Sequence, residues 1–550
     1  MSGITRRAAV AGSLAALLAA GCGRAGGRRR GRASIEGRFV DDGVRAGHMF
    51  RDGRLQQGGS PLGAIRKRVV VVGGGVAGLS AAWRLARAGV EDVVLLELGK
   101  GVGGTSRGGT LRSPDGHEHP CPFGAHYLPV PRPEQAALVA FLRDAGVATG
   151  LRLDGSLEIP DRLLVRDPAE RIAGLGFFEE GLWLHAGATA SDHADLERFE
   201  AEVERRVGLG ADGRRLFDLP VERSSVDARA LDRTSAAAWC DELGLTAPRI
   251  RWYLQYATRD DFGATLEQTS AWALLHYFTA RANLLSKESA PFMTWADGNA
   301  HLVRALVRSM AGVEIRTGDV ALSVEPRKGG ATVESIRMER GERTRWDADA
   351  VVLATPQYVT RRLLRDDPAS GDRALLRYGP WIVANLHLAE RPASRGFPDA
   401  WDSVLHGSPS LGYVDATHQL DRADARDTVW TWYLPVVDDD EAAARTRLLE
   451  TPWEEVRDAI LADLRVAHPD IDDLVTRIDV WRWGHGMVKP TPGTMWGGVR
   501  ERVARPVGRV HLAHSDLSGM ALFEEAHWQG TRAAEAVLAQ LGVAHEPLAS

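Results

Sequence analysis

The period of the hydrophobic positions changes sharply near residue 70. Lys67-Arg68 gives way to Val69-Val70-Val71-Val72, an apolar run with no polar face, which predicts a strand buried on both sides. Gly73-x-Gly75-x-x-Gly78 follows directly, and beyond it Leu79, Ala82, Leu85 and Ala86 recur at helical spacing. A second run, Val93-Val94-Leu95-Leu96, predicts another strand that ends at Glu97, nineteen residues past Gly78. Glycine suits the intervening turn because a strand must pass abruptly into a helix while its backbone approaches a pyrophosphate. The helix N-terminus then offers unpaired N–H groups and a partial positive charge to that anion. An acid at the end of the second strand accepts hydrogen bonds from the adenosine ribose. Together these elements predict a dinucleotide site on an α/β, Rossmann-like sheet.

Further segments narrow the dinucleotide. Leu98-Gly99-Lys100-Gly101-Val102-Gly103-Gly104-Thr105-Ser106-Arg107 is a second glycine loop ending in a base, and Gly508 to Asp516 reads as a strand running into an acid. Glu524 to Ala534 reads as a closing helix, Trp295 to Leu302 as a turn, and Val313–Val320 and Ala348–Pro356 as further strands. In the order and spacing of these segments, residues 66–545 resemble the flavin-containing amine oxidoreductase family. The resemblance implies FAD as cofactor, with the pyrophosphate and ribose at Gly73, Gly75, Ala77, Gly78 and Glu97. It implies a second set along the ribityl chain and ring at Gly103, Gly104, Thr105, Arg107, Gly124, Ala125 and His126. Val320 falls at the adenine, and Asp516, Phe523 and Ala526 at the far end. The implied architecture is a discontinuous FAD-binding domain (65–130, 291–364, 500–550) beside a mixed α+β substrate domain (131–290, 365–499). FAD is expected to be held non-covalently, with His126 or His527 the alternative attachment points.

Relatives of this kind move a hydride from a carbon, commonly one beside nitrogen, to the flavin, and many place a lysine near the reacting edge. The matching strand here, Trp381 to Leu388, has none; Asn385 or Lys489 are the residues considered for that place. The resemblance puts His126 and Tyr127 on the active-site wall, and His527 at the flavin ring. It puts the segments containing His485 and Trp496 where an aromatic flanks the substrate. Catalytic roles are therefore expected among His485, Trp496, His527, Asn385 and His126. Arg259-Asp260-Asp261 is read as a helix-ending ion pair, with a substrate role as the alternative. The expected function is oxidation of a small organic substrate, an amine or polyamine first, with oxygen or a quinone as electron acceptor. The alternatives are a desaturase or isomerase of an isoprenoid-like lipid and a tethered electron-transfer flavoprotein.

Composition alters this picture at one end. Of 550 residues, 44% are hydrophobic and 26% charged, as in an ordinary globular chain. Residues 1–68 carry fourteen Arg/Lys against four acids, whereas the remainder carries 54 against 69, a net −15. An acidic body argues against nucleic acid as partner. Thr5-Arg6-Arg7, the apolar stretch Ala8–Ala20 and Gly21-Cys22 resemble a twin-arginine signal with a lipoprotein-type cleavage site over residues 1–22; an Ala-rich start with a chance Arg pair is the alternative. The expected location is the periplasm or cell envelope, with a membrane tether through Cys22 and a flexible arm over 23–64. Cys121 and Cys240 remain, either as one disulfide or as separate buried thiols.

Overall fold

The computed structural model describes residues 35–56, 63–420, 426–438 and 440–549. The twin-arginine segment, Cys22 and the basic stretch after it lie outside the described residues.

The valine run forms the strand Ala64–Val72, whose last four residues are buried, and Gly75 opens the helix Val76–Arg87. Parallel neighbours build the nucleotide-type sheet in the order Glu314–Thr317, Val93–Glu97, Ala64–Val72, Glu342–Leu353, with Val510–Leu512 alongside the end of the last. In register, Val70 pairs with Val94 and Val351, so the apolar runs lie side by side. An antiparallel meander, Asp319–Arg327 and Gly330–Arg337, extends this sheet, and the turn at Gly341 (φ 66°) lies where the sequence places a hairpin. On one face the helix Val76–Arg87 packs against the C-terminal helix Phe523–Gln540. The approach is close: a Cβ on Gly530 would lie 2.1 Å from the Ala77 carbonyl oxygen.

A second, eight-stranded sheet carries the other domain. Its order is Glu36–Phe39, Val475–Val488, Tyr378–Leu388, Thr428–Pro435, Gly412–Asp415, Asp402–Leu405, Glu170–Gly174, Phe177–Glu180. The strand Tyr378–Leu388 is buried throughout, and its two faces differ. Ile382, Ala384, Leu386 and Leu388 pack in the core formed with the helices Glu441–Glu450 and Trp453–Leu464. Trp381 and Val383 point the other way, into an aromatic cluster. A helical lobe (Ala190–Arg206, Ala236–Glu242, Pro248–Phe262, Ala271–Thr279) closes that side around its own core. Among the described residues no helix is long and apolar enough to cross a membrane.

The reading of 23–64 as a flexible arm is corrected for residues 35–56. Glu36–Phe39 joins the edge of the second sheet in parallel with Arg477–Val480, and the helix Val44–Arg51 buries Ala46 and Phe50 against the first. The arm therefore ties the two sheets together. Cys121 and Cys240 are separate, buried thiols.

Candidate active site

The three glycines of the first loop do different work. Gly73 has φ 103°, and a Cβ there would lie 2.4 Å from the Ala354 carbonyl oxygen; at Gly78 it would lie 1.9 Å from the Gly73 oxygen. Both permit strand and helix to meet. Gly75 faces open space, with nothing within 4 Å of a Cβ, and caps the helix without any side-chain hydrogen bond. An uncapped helix N-terminus opening on empty space fits a pyrophosphate. The second glycine loop lies against the first through Gly103 N–H to Gly74 oxygen at 2.7 Å. Glu97 accepts from the Gly74 and Gly99 N–H groups at 2.7 Å each. Burial holds its pKa above the usual carboxylate range despite those bonds.

At the opposite end, Asp516 accepts from the Gln357 N–H (2.8 Å) and the Tyr378 hydroxyl (2.6 Å), with His514 Nδ1 at 3.0 Å. Burial would raise its pKa, but His514, Tyr378 and Gln357 outweigh that and keep it below the ordinary value. These features fit FAD: a cradle for the pyrophosphate, an acid for the adenosine ribose and an ionised acid beyond the phosphates. Ala77, Phe523 and Val320 are buried in the surrounding cores, so their side chains support the site from beneath. Ala526 is half-buried at the start of the closing helix. Arg107 turns away to pair with Asp42 of the arm at 3.0 Å and lies 5.1 Å from the Trp481 ring centroid.

Between these ends runs the turn Gly124-Ala125-His126-Tyr127, fixed from every side. The Ala125 N–H donates to Thr105 oxygen and its carbonyl accepts from the Asn299 N–H (2.9 and 3.0 Å). Thr294 Oγ1 donates to His126 oxygen (2.7 Å), Asn299 Nδ2 to Tyr127 oxygen (2.9 Å) and the Tyr433 hydroxyl to Gly124 oxygen (3.0 Å). One residue earlier, Trp483 Nε1 donates to Phe123 oxygen at 2.7 Å. A Cβ on Gly124 would lie 2.3 Å from the Thr105 oxygen. The turn bears an aromatic wall: His126 lies 4.9 Å from Tyr433, 5.1 Å from Tyr127 and 5.4 Å from Trp401, centroid to centroid. Burial lowers the His126 pKa to about 3, so the ring is neutral at physiological pH.

Facing this wall is a group of acids of which the sequence singles out only Asp260 and Asp261; Glu170 and Asp402 join them in the fold. Glu170 and Asp402 are direct partners on adjacent parallel strands, so their side chains share one face of the sheet. Asp260 and Asp261 occupy the last turn of the helix Pro248–Phe262, which Gly263 ends at φ 58°. Acids at a helix C-terminus oppose its dipole. Burial, then the charges of Asp261 and Glu170, push Asp260 up to about 7. Burial, then Glu170 and Asp260, push Asp402 well above the carboxylate range, and burial alone raises Glu170. Glu170, Asp260 and Asp402 each keep some accessible surface although they are strongly desolvated, as groups lining an internal space do. Among the described residues none of the three makes an ion pair; the Tyr277 hydroxyl, 3.5 Å from Asp260, is the polar neighbour. Asp261 differs, because the Arg281–Glu524 pair lies beside it and Arg281 lowers its pKa, leaving it at about 6. The ion-pair reading of Arg259 is thus corrected: its guanidinium donates to the carbonyls of Ser408, Pro409 and Ser410.

Four of the five expected catalytic residues lie elsewhere or are already engaged. Asn385 donates to Pro122 oxygen and accepts from Thr431 Oγ1, both at 2.8 Å, which makes it a brace for the strand leading into the turn. His485 stacks on Tyr358 at 4.1 Å, near Asp516, with its pKa lowered to about 3 by burial and then by Arg445 and Arg362. Trp496 belongs to the helical lobe, 5.5 Å from Trp272, with its backbone N–H donating to Asp232. His527 is in the core between Trp83 (5.4 Å) and Phe141 (5.3 Å), and neither ring nitrogen has a hydrogen-bond partner. His126 alone stays on the wall. Of the aromatics in the segment 483–496, Trp483 stacks on Trp481 at 5.0 Å and holds Phe123 beside the turn. Lys489 pairs with Glu441 at 3.2 Å and Gln268 at 3.1 Å, so it does not supply the missing lysine.

Comparison with known proteins gives the family and the fold. The family model described as flavin containing amine oxidoreductase matches residues 76–538. Carotenoid phi-ring synthase of Streptomyces griseus is 27% identical over 556 residues, 92% of this chain and 95% of that protein. Putrescine oxidase bound to putrescine shares the fold at a TM-score of 0.63 and 17% identity, over 87% of this chain and 100% of that one. Cyclohexylamine oxidase from Brevibacterium oxydans does so at 0.62 and 15%, over 86% and 99%.

Proposed function

Because the chain belongs to the flavin-containing amine oxidoreductase family and is an FAD-dependent oxidoreductase, we propose that it oxidises an organic amine, in particular a diamine or polyamine. The observation that carries this reading is the unpaired trio Glu170, Asp260 and Asp402 facing the aromatic wall of the turn. Three desolvated acids without a cation disfavour a hydrocarbon and favour a ligand that brings positive charge.

Bound FAD supplies the hydride acceptor. The rigid turn 124–127 fixes one wall against which the substrate is oriented, and Tyr127, Trp401 and Tyr433 exclude water from it. Aromatic faces attract an alkylammonium group, adding about 0.5–2 kcal/mol per contact. Asp260, at about 7, exchanges a proton with the ammonium at neutral pH, and the other acids hold a distal cation. His126 is neutral and contributes shape rather than charge.

The test is anaerobic mixing with putrescine, spermidine and a carotenoid in detergent while the visible flavin absorption is followed. Bleaching by an amine supports the proposal; bleaching by the carotenoid alone overturns it. That second outcome belongs to the rival reading, a desaturase or isomerase of an isoprenoid-like lipid. It is favoured by the 27% identity to carotenoid phi-ring synthase and by the lysine-free face of Trp381, Val383 and Asn385. The proposal extends to oxygen or a quinone as electron acceptor, and to export by the twin-arginine route with a tether at Cys22, both resting on the sequence alone.

A further inference from the structure

Away from the aromatic wall, two histidines and a carboxylate from distant segments converge. His119 lies on the strand Glu118–Pro122, His387 on Tyr378–Leu388, and Asp427 just before Thr428–Pro435. Asp427 Oδ2 is 3.2 Å from His119 Nε2 and 3.5 Å from His387 Nε2, and the two ring centroids are 5.1 Å apart. One ligand atom from each of the three lies within 4.8 Å of the others. Both imidazoles are buried, whereas the carboxylate is 24% exposed and opens the group to solvent.

From these contacts we infer a divalent-metal site, of zinc type, formed by His119, His387 and Asp427. Metal–nitrogen and metal–oxygen bonds of about 2.0–2.2 Å at a tetrahedral angle separate ligand atoms by roughly 3.3–3.5 Å, against about 3.0 Å at a right angle. The observed 3.5 Å falls on the tetrahedral edge and 3.2 Å lies just below it, nearer that edge than the right-angle one. The outer contacts set the tautomer. The Thr476 hydroxyl donates to His387 oxygen at 3.4 Å, so Oγ1 accepts from His387 Nδ1–H at 2.6 Å. With the proton on Nδ1, Nε2 is the nitrogen on the side of the carboxylate that would ligate, the arrangement in which a metal ligand is held by its second nitrogen. Water completes the fourth position from the exposed side.

The role is a clamp. His119 precedes the turn 124–127 by a few residues and His387 follows Asn385, which already holds Pro122, so a metal here ties the flavin-facing turn to the second sheet.

The test uses the full FAD-loaded protein, incubated with Zn²⁺ alone, desalted and assayed for zinc and flavin. About one zinc per chain is expected, falling at least tenfold in His387→Gln and in Asp427→Asn. Flavin content reports folding independently; if a variant fails to load FAD, X-ray absorption at the zinc edge of the wild type decides. Nitrogen/oxygen ligands at about 2.0–2.2 Å with imidazole scattering support the site. Less than a tenth of an equivalent in the wild type, equal zinc in a folded variant, or a spectrum without imidazole would overturn it.

Discussion

Asp260→Asn should slow turnover of an amine and stabilise the protein at the same time. The native carboxyl is raised from 3.8 to about 7, chiefly by burial and then by Asp261 and Glu170. A raised carboxylate pKa means that the fold disfavours the charged form. The penalty is absent below the unfolded value, grows as pH rises from about 4, and is complete above about 7. At roughly 1.4 kcal/mol per pH unit it amounts to an upper bound of about 4 kcal/mol, which the amide removes. Above neutrality the variant should therefore melt at a higher temperature than the wild type, with the difference shrinking steadily as pH falls from 7 toward 4.5. Losing a desolvated partner for a substrate cation costs about 2–4 kcal/mol, or roughly thirty- to a thousand-fold in kcat/KM. The assays are thermal melting from pH 4.5 to 8.5 and stopped-flow flavin reduction by putrescine. A variant that is less stable at pH 8, or reduced by the amine at the wild-type rate, would refute the reasoning.

Other outcomes follow from the same geometry. Gly75→Val should leave a folded protein without FAD, because its Cβ meets no protein atom but occupies the space before the helix; Gly78→Val should lose fold and FAD together, since its Cβ collides with the Gly73 carbonyl. Flavin content and circular dichroism distinguish the two. With Asp260 at about 7, kcat/KM for an amine should fall as pH drops below that value and show no ionisation of His126 between pH 5 and 9. Tyr433→Phe frees the Gly124 carbonyl and should slow flavin reduction by about tenfold while FAD stays bound, read by stopped flow. Replacing Arg6 and Arg7 with lysine should leave precursor in the cytoplasm, and Cys22→Ser should release the mature protein from the membrane fraction, both read by fractionation.

The nucleotide sheet was legible because its signals are local. Val69–Val72, the glycine spacing and Glu97 lie within thirty residues, and each has a direct steric or electrostatic reason to be where it is. The arm was not legible: Glu36–Phe39 alternates in exposure and becomes a strand only by pairing with residues 475–488, which its own pattern does not announce. His527 shows a signal that was available. Phe523, His527, Gly530 and Ala534 recur at helical spacing on the buried stripe facing the helix Val76–Arg87, so the imidazole turns into the core. Trp496 follows the helical lobe because its backbone N–H is taken by Asp232, 264 residues earlier. The acids come from three separate segments and meet only through strand register and a helix end. The Asp260-Asp261 pair stood out as a charge cluster in an apolar stretch, and Asp402, a charge between Trp401 and the apolar strand residues Val404 and Leu405, was a second hint.

On this proposal an amine binds to the acidic trio as a cation, gives up a proton to Asp260, and in its neutral form gives up a hydride at the site that would hold FAD. The most direct measurement is anaerobic titration of the purified yellow protein with putrescine. The visible flavin band should be lost stoichiometrically, with the triple variant Glu170→Gln/Asp260→Asn/Asp402→Asn retaining FAD and losing this response. Loss of the band at the same putrescine concentration in that variant, or no bleaching of the wild type by any amine, would contradict it.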